Sequence, residues 1–237
     1  MKSFLKIGCI LCSCFLLYGL FTSCFGPDIV ITTSASHADL CIRSVSTNKP
    51  QISLTFDTGC GPDNTSELLK ILKSRQILAS FFITGEWASR YPELLQQIAA
   101  DGHDLGNHSE THQNMNQLSE EECLQELMTL HHRIKSLTDI DMNLFRPPYD
   151  IYSNQMLAAV KKAGYQTILW SCDSMDWKNY GTDSIINTLC SHPQLANGAI
   201  IRLHTDAPHT VSALDELIIR LQETGYEIVP LSQLISP

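Results

Sequence analysis

Basic residues are scarce in this sequence. Its 237 residues hold 16 Lys and Arg against 25 Asp and Glu, a formal net charge of −9. Lys2 and Lys6 are the only charged residues among the first 23, so the remainder holds 14 Lys and Arg and carries a net charge of −11. This balance repels polyanions, which argues against nucleic acid and against an anionic membrane surface as partners. A neutral or basic glycan would meet no electrostatic penalty.

Internal repeats and low-complexity tracts are also missing.

The apolar stretch at 7–21 follows Lys2 and Lys6, as in a secretory signal, and it is short for a transmembrane span. Ser23 places a small residue before Cys24, as in bacterial lipoproteins, although Phe21 is bulkier than such signals usually have. We expect residues 1–23 to direct export to the periplasm or cell envelope and residues 24–48 to form a tether or irregular lead-in. A lipid anchor at Cys24, a plain cleaved signal and an uncleaved anchor stay open as alternatives.

Cysteine pairs with metal-binding spacing are absent after the signal, since the Cys-x-x-Cys pair at Cys9 and Cys12 lies within it. If Cys24 is lipidated, five cysteines remain: Cys41, Cys60, Cys123, Cys172 and Cys190. An odd number cannot all pair within one chain, and export permits disulfides without requiring them. We expect most of these cysteines to be small buried apolar residues, with the connectivity left open.

Strand-like and helix-like stretches alternate after residue 50. The residue pattern predicts strands at 52–56, 79–83, 102–107, 143–145, 167–170, 199–203 and 227–229. It predicts helices at 67–75, 85–100, 119–137, 153–163, 184–190 and 212–223, with a closing turn at 231–235. Such alternation is typical of parallel βαβ units, and the length suits one domain over residues 49–237.

Five short polar motifs follow the predicted strands. They are Asp57-Thr58-Gly59, His108 to His112, Arg146-Pro147-Pro148-Tyr149, Asp173 to Trp177, and Leu203-His204. Polar residues at the carboxyl ends of successive strands indicate a (β/α) barrel with its site on one face. His108 and His112 are four residues apart, so on a helical turn they would share a face and could hold one divalent ion. Two surface histidines flanking a loop are the alternative.

In this order the five motifs resemble those of the polysaccharide deacetylase family, which is carbohydrate esterase family 4 or the NodB-homology domain. The resemblance runs from about Lys49 to the C-terminus. It implies a deformed, incomplete (β/α) barrel of about seven strands. It also implies a hydrolase that removes N-acetyl groups from amino-sugar units of an envelope glycan, with peptidoglycan as the first expectation.

The resemblance implies roles for the acid, the base and the metal ligands. Asp57 would be the general base and His204 the general acid that protonates the leaving amine. His108 and His112 would hold a divalent metal, expected to be Zn²⁺, with Co²⁺, Mn²⁺ or Ni²⁺ as alternatives.

Five further residues would surround this centre by the same resemblance. The Tyr149 backbone N–H would bind the oxyanion, Trp177 would form an apolar wall, and Leu203 would line a pocket for the acetyl methyl. Arg146 would contact and orient Asp57 and add positive charge to the site. Asp176 would in turn contact Arg146 as an outer partner.

Thr58 departs from the family pattern, which usually has a second aspartate at this position to complete the metal site. A hydroxyl is a poorer ligand than a carboxylate, so we expect a weakly held metal unless another acid, such as Asp63, replaces it. Two other functions stay open: a non-catalytic glycan-binding or scaffold protein with a degenerate metal site, and an amidase for another small amide. The sugar unit is also open, and we expect a monomer.

Overall fold

The computed structural model describes residues 41–59, 61 and 63–236. The predictions for the signal at 1–23, the lipid anchor at Cys24 and the tether up to residue 40 lie outside the described residues, as does Cys60. Within the described ranges, no helix combines the length and the apolar character needed to cross a membrane.

The described residues form one curled sheet of nine strands. In chain order these are β1 (Cys41–Ile42), β2 (Gln51–Asp57), β3 (Ser80–Ile83), β4 (Asp104–Asn107), β5 (Leu144–Phe145), β6 (Gln166–Ile168), β7 (Cys172–Asp173), β8 (Ile200–His204) and β9 (Glu227–Ile228). The strand order is β1-β6-β5-β4-β3-β2-β8-β7, with β9 paired to β2, and every paired strand runs parallel. The terminal strands of this order, β1 and β7, are not paired with each other in the described part, so the sheet does not close. This confirms the incomplete barrel, and the strand number exceeds seven because it includes the two-residue strands β1 and β7, which the residue pattern did not predict.

Eight helices connect these strands in the described part of the chain. They are α1 (Thr65–Ser74), α2 (Gly85–Arg90), α3 (Pro92–Ala100), α4 (Glu120–Thr138), α5 (Asn154–Lys162), α6 (Thr182–Cys190), α7 (Thr210–Glu223) and α8 (Leu231–Ile235). The single helix predicted at 85–100 is wrong, because the chain leaves helical geometry at Tyr91, where φ is −131°. The ring of Pro92 disfavours helical geometry in the preceding residue. Ser119 and Glu122 form the predicted capping box at the start of α4.

The central strand β2 shows how the sheet positions polar groups. Ile52, Leu54 and Phe56 are fully buried in the large apolar core that β2 shares with the helices. Successive strand residues point to opposite faces, so Thr55 and Asp57 turn inward, away from that core. There the Thr55 hydroxyl donates to the Ile201 carbonyl of β8 at 2.7 Å and also accepts from Arg146. The inner face of the sheet is therefore polar at its carboxyl end.

The described part of the predicted tether is not wholly irregular, because Cys41–Ile42 pairs with β6 at the edge of the sheet. Four cysteines of the described ranges are free thiols, namely Cys41, Cys123, Cys172 and Cys190. Cys123 and Cys172 are buried and the other two are partly buried, which agrees with small apolar packing residues.

Candidate active site

A cavity of about 510 Å³ lies at the carboxyl ends of the strands, within the size range of small-molecule sites. It gathers residues from all five sequence motifs. The lining residues are Asp57, Thr58, Gly59, His108, His112, Pro147, Tyr149, Asp150, Trp170, Trp177, Arg202, His204 and Asp206.

Asp57 and Arg146 form a buried ion pair on one side of this cavity. Arg146 is fully buried, and its Nη1 donates to Asp57 Oδ1 at 2.6 Å and to the Thr55 hydroxyl at 2.9 Å. Its Nη2 donates to the Leu169 carbonyl at 3.2 Å, and the Phe82 ring lies 4.0 Å from the guanidinium carbon. Burial alone would raise the pKa of Asp57, but the charge of Arg146, together with smaller contributions from His108, His204 and Arg202, outweighs burial and lowers this pKa to about 2. Asp57 is therefore ionised and held in one orientation at neutral pH.

His204 and Asp176 form a second pair beside the first. Asp176 Oδ1 accepts from His204 Nδ1 at 2.7 Å, and Asp176 Oδ2 accepts from the His204 backbone N–H at 2.8 Å and the Thr210 hydroxyl at 2.7 Å. Burial opposes charging of the imidazole, but the hydrogen bond and charge of Asp176, together with the charge of Asp57, outweigh burial and raise the pKa of His204. Because Nδ1 faces Asp176, the Nε2 proton of His204 is the one available to a ligand.

The prediction that Asp176 supports Arg146 is wrong, because Asp176 makes its bonds to His204 and Thr210. The physical reason is strand order. Strand β7 pairs with β8, so the 3₁₀ turn Asp176–Lys178 after β7 lies beside the end of β8. The partners of Arg146 come instead from β2 and from the segment after β6.

His108 and His112 come together, although the helical turn expected for them is absent. The segment between them has no helical assignment, and both Ser109 (φ 69°) and His112 (φ 54°) adopt left-handed geometry. The two rings nevertheless meet edge to face, with centroids 4.9 Å apart. The loop is held by Glu126 of α4, which accepts from the Thr111 backbone N–H at 2.9 Å and from the Thr111 hydroxyl at 3.0 Å. Thr111 therefore connects the histidine loop to α4, a role that the sequence did not predict.

Both imidazoles are chemically suited to bind a cation. His108 Nδ1 donates to the Arg146 carbonyl at 2.7 Å, which leaves Nε2 unprotonated in the neutral ring. Burial lowers the pKa of His108 to about 4 and also lowers the pKa of His112, so both rings are neutral at pH 7, as metal ligation requires. Across the described residues, however, no set of three or more His, Cys, Asp or Glu side chains is placed to hold a metal ion.

Thr58 does not fill the third position, since its hydroxyl accepts from the Thr84 backbone N–H at 3.0 Å. The expectation that Asp63 could replace it is also not met. Asp63 Oδ1 accepts from the Trp87 indole N–H at 2.8 Å, and the same carboxylate accepts from both the backbone and the hydroxyl of Thr65. Asp63 thus holds Thr65, the first residue of helix α1, and is not among the residues that line the cavity.

Two aromatic residues form the exposed rim. Tyr149 is 60% exposed and Trp177 is 54% exposed, and the Tyr149 ring packs edge to face on His112 at 4.8 Å. Tyr149 has left-handed geometry with φ of 62°, and its backbone N–H has no acceptor in the described ranges.

Leu203 differs from expectation: it lies in the apolar core and not in the cavity lining. Arg202 and His204 on the same strand face the cavity, so the residue between them points to the other side.

Three cavity residues were missed by sequence reasoning: Trp170, Arg202 and Asp206. Arg202 forms an ion pair with Asp173, and its guanidinium carbon lies 3.6 Å from the Trp170 ring centroid. Arg202 precedes His204 by two positions on β8, so strand alternation was a usable signal for it. Asp206 lies in a loop, where no periodicity points to it.

A family model described as polysaccharide deacetylase matches residues 44–168. A chitooligosaccharide deacetylase of Bradyrhizobium is 35% identical over 196 residues, covering 76% of this chain and 89% of the relative. A peptidoglycan-N-acetylglucosamine deacetylase of Bacillus cereus is 33% identical over 196 residues, covering 81% of this chain and 91% of the relative. A CE4 family pseudoenzyme from Bacillus anthracis aligns with a TM-score of 0.78 and 28% identity, covering 83% of this chain and 69% of that one.

The family model spans more than half of the chain and includes the Asp57, His108 and Arg146 motifs, while the longer alignments cover over three quarters of it. On these matches the chain belongs to the polysaccharide deacetylase family.

Proposed function

We propose that this protein is a metal-dependent hydrolase that removes N-acetyl groups from amino-sugar units of an envelope glycan, with peptidoglycan as its first substrate. One observation carries the proposal: the Asp57–Arg146 pair and the His204–Asp176 pair border the same cavity, with the pKa of Asp57 lowered and that of His204 raised. The first pair keeps a carboxylate ionised, and the second favours a protonated imidazole. Amide hydrolysis needs one group to accept a proton from water and another to give one to the leaving amine.

Asp57 takes the proton of the attacking water in this mechanism. A carboxylate with a pKa of about 2 is a weak base toward bulk water, whose pKa is about 15.7. His108 and His112 would hold a divalent cation, which would supply Lewis acidity to the amide carbonyl and to the attacking water.

His204 gives its Nε2 proton to the amine nitrogen as the C–N bond breaks, while Asp176 holds the imidazole through Nδ1. The Tyr149 N–H has no acceptor in the described part, and because Tyr149 lines the cavity this N–H would donate to the developing oxyanion. Trp177 offers an exposed apolar ring against which a pyranose can stack. Acetate and a free amino sugar are the products.

A non-catalytic glycan-binding protein is the second candidate. The observation that favours it is Thr58, whose hydroxyl is bonded to Thr84 and contributes no carboxylate, together with the likeness to a pseudoenzyme of the same family. An amidase for a small non-glycan amide is the third.

The deciding experiment incubates purified peptidoglycan and N-acetylglucosamine oligomers with the metal-supplemented protein, followed by mass spectrometry of the digested products. Loss of acetyl groups from either sugar supports the deacetylase and identifies the unit. Binding of the glycans without conversion would favour the second candidate. Turnover confined to small amides would favour the third.

A further inference from the structure

Exposed apolar side chains are concentrated beside the cavity. In the part of the chain that the structure describes, five of the six exposed large apolar residues lie in the segments 149–151 and 175–180, namely Tyr149, Ile151, Met175, Trp177 and Tyr180. Both segments contribute to the cavity lining, through Tyr149 and Trp177. Clustered apolar surface on a folded domain marks a binding surface more often than scattered apolar residues do. This surface is therefore suited to contact the parts of a ligand that lie outside the cavity.

The turn after β7 carries an aromatic strip, which we define as Trp177, Lys178 and Tyr180. Tyr180 is 71% exposed, more than any other large apolar side chain in the described ranges. The Lys178 ammonium lies 5.2 Å from the Trp177 ring centroid and 5.9 Å from the Tyr180 ring centroid, so one cation serves two exposed rings. Trp177 lines the cavity and Tyr180 does not, so the strip leads from the cavity onto the surface.

The strip is anchored by the carboxylate that pairs with His204. Asp176 is buried, accepts from His204 and Thr210, and begins the 3₁₀ turn Asp176–Lys178. The Lys178 backbone N–H closes this turn by donating to the Met175 carbonyl at 3.0 Å. A surface that is already ordered binds a ligand with a smaller entropic cost.

Lys178 has no carboxylate partner in the described ranges. The lysine ion pairs there are made by Lys73, Lys135 and Lys162. Of the acids that precede Lys178 on β7 and its turn, Asp173 is paired with Arg202 and Asp176 with His204. The chain as a whole has a formal net charge of −9, so an anionic group on a ligand is attracted only where a local cation is available.

We propose that the aromatic strip is a subsite for the sugar unit next to the one in the cavity, and that Lys178 selects glycans with carboxylate substituents. The proposal rests on the proposed function for the reaction in the cavity. The two rings offer flat apolar faces to pyranose rings, and the ammonium beside them can donate to a carboxylate on the same glycan chain. The lactyl carboxylate of N-acetylmuramic acid is the group that distinguishes peptidoglycan from neutral chains of N-acetylglucosamine. The preferred substrate class is thus the carboxylate-bearing glycan.

The test compares two β-1,4-linked tetrasaccharides by isothermal titration calorimetry with the purified full-length protein. One probe alternates N-acetylglucosamine with N-acetylmuramic acid, and the other contains N-acetylglucosamine alone, so they differ only in the lactyl ethers. We expect wild type to bind the first about two- to fivefold more tightly at low salt, as for an exposed ion pair. The preference should shrink at about 1 M salt, because salt screens the charges. Where a probe is turned over, kcat/KM for the two glycans replaces Kd in the comparison.

Lys178→Gln should remove the preference between the two tetrasaccharides. Lys161→Gln is the matched control, because it removes the same charge from an exposed position on α5 outside the cavity lining, and it should keep the wild-type preference. Tyr180→Ala should weaken the binding of both tetrasaccharides and spare the corresponding disaccharides, since Tyr180 lies beyond the cavity. Tyr180→Phe keeps the ring and should bind like wild type. All four side chains are replaced at exposed positions, so Tm should stay near wild type.

A wild type without preference for the carboxylate-bearing probe, or a preference that survives Lys178→Gln, would overturn the proposal. Equal tetrasaccharide affinities in wild type and Tyr180→Ala would overturn the subsite. Acetate release is measured separately. A Lys178-dependent preference without acetate release would defeat the proposed function alone, and acetate release without that preference would defeat this proposal alone.

Discussion

Replacing Asp176 by Asn should move the alkaline limb of activity to lower pH. Asp176 Oδ1 accepts from His204 Nδ1 at 2.7 Å and raises the pKa of His204 against the effect of burial. A hydrogen bond to a charged group contributes about 1.5–3 kcal/mol, and one pKa unit corresponds to about 1.4 kcal/mol. Loss of the carboxylate should therefore remove this stabilisation of the imidazolium and lower the pKa of His204. His204 acts as an acid, so activity is present below its pKa and is lost as pH rises through it.

The assay is kcat/KM as a function of pH on an N-acetylated oligosaccharide at saturating metal. Thr210→Val is the matched control, because it removes one hydrogen bond to Asp176 Oδ2 and keeps the carboxylate beside His204. We expect the control to keep the wild-type alkaline limb. An Asp176→Asn profile whose alkaline limb coincides with that of wild type would refute the assignment of His204 as the acid tuned by Asp176.

Three further predictions concern stability, substrate binding and the histidine loop. Arg146→Met leaves Asp57 buried and unpaired, so urea denaturation at pH 7 should show a loss of about 3–5 kcal/mol. This difference should shrink as pH falls from 7 toward 2, because burial without Arg146 raises the pKa of Asp57 in the variant, whereas the wild-type carboxylate protonates only near its pKa of about 2. Trp177→Ala should raise KM while leaving kcat and Tm near wild type, since the ring is exposed on the rim. Glu126→Gln should loosen the histidine loop and lower Zn²⁺ affinity by about tenfold in chelator competition, and an unchanged affinity would exclude Glu126 from the site.

Local signals were sufficient to predict most strands and helices. The apolar run 52–56 became β2, and the Ser119 capping box began α4 as expected. Asp57, His108 and His204 each follow a predicted strand, and this was sufficient to predict that they share one cavity. The break at Tyr91 was also predictable, because the residue before a proline leaves helical geometry.

Side-chain partners were not predictable to the same degree, because they depend on which strands become neighbours. Asp176 bonds to His204 rather than to Arg146 since β7 pairs with β8 at the edge of the sheet. His108 and His112 meet through a loop with two left-handed residues, which no spacing rule describes. Asp206 reaches the cavity only because two loops far apart in sequence are joined through Gly61.

The measurement that tests the central claim most directly is acetate released from N-acetylated glycan by the metal-loaded protein. Peptidoglycan and chitooligosaccharides are incubated with wild type and with Asp57→Asn, which keeps the shape of the side chain and removes the base. We expect wild type to release acetate and free amine in equal amounts, and Asp57→Asn to be slower by about 10²–10⁴-fold. Wild-type rates in Asp57→Asn, or no acetate from either glycan with the metal-loaded wild type, would contradict the account.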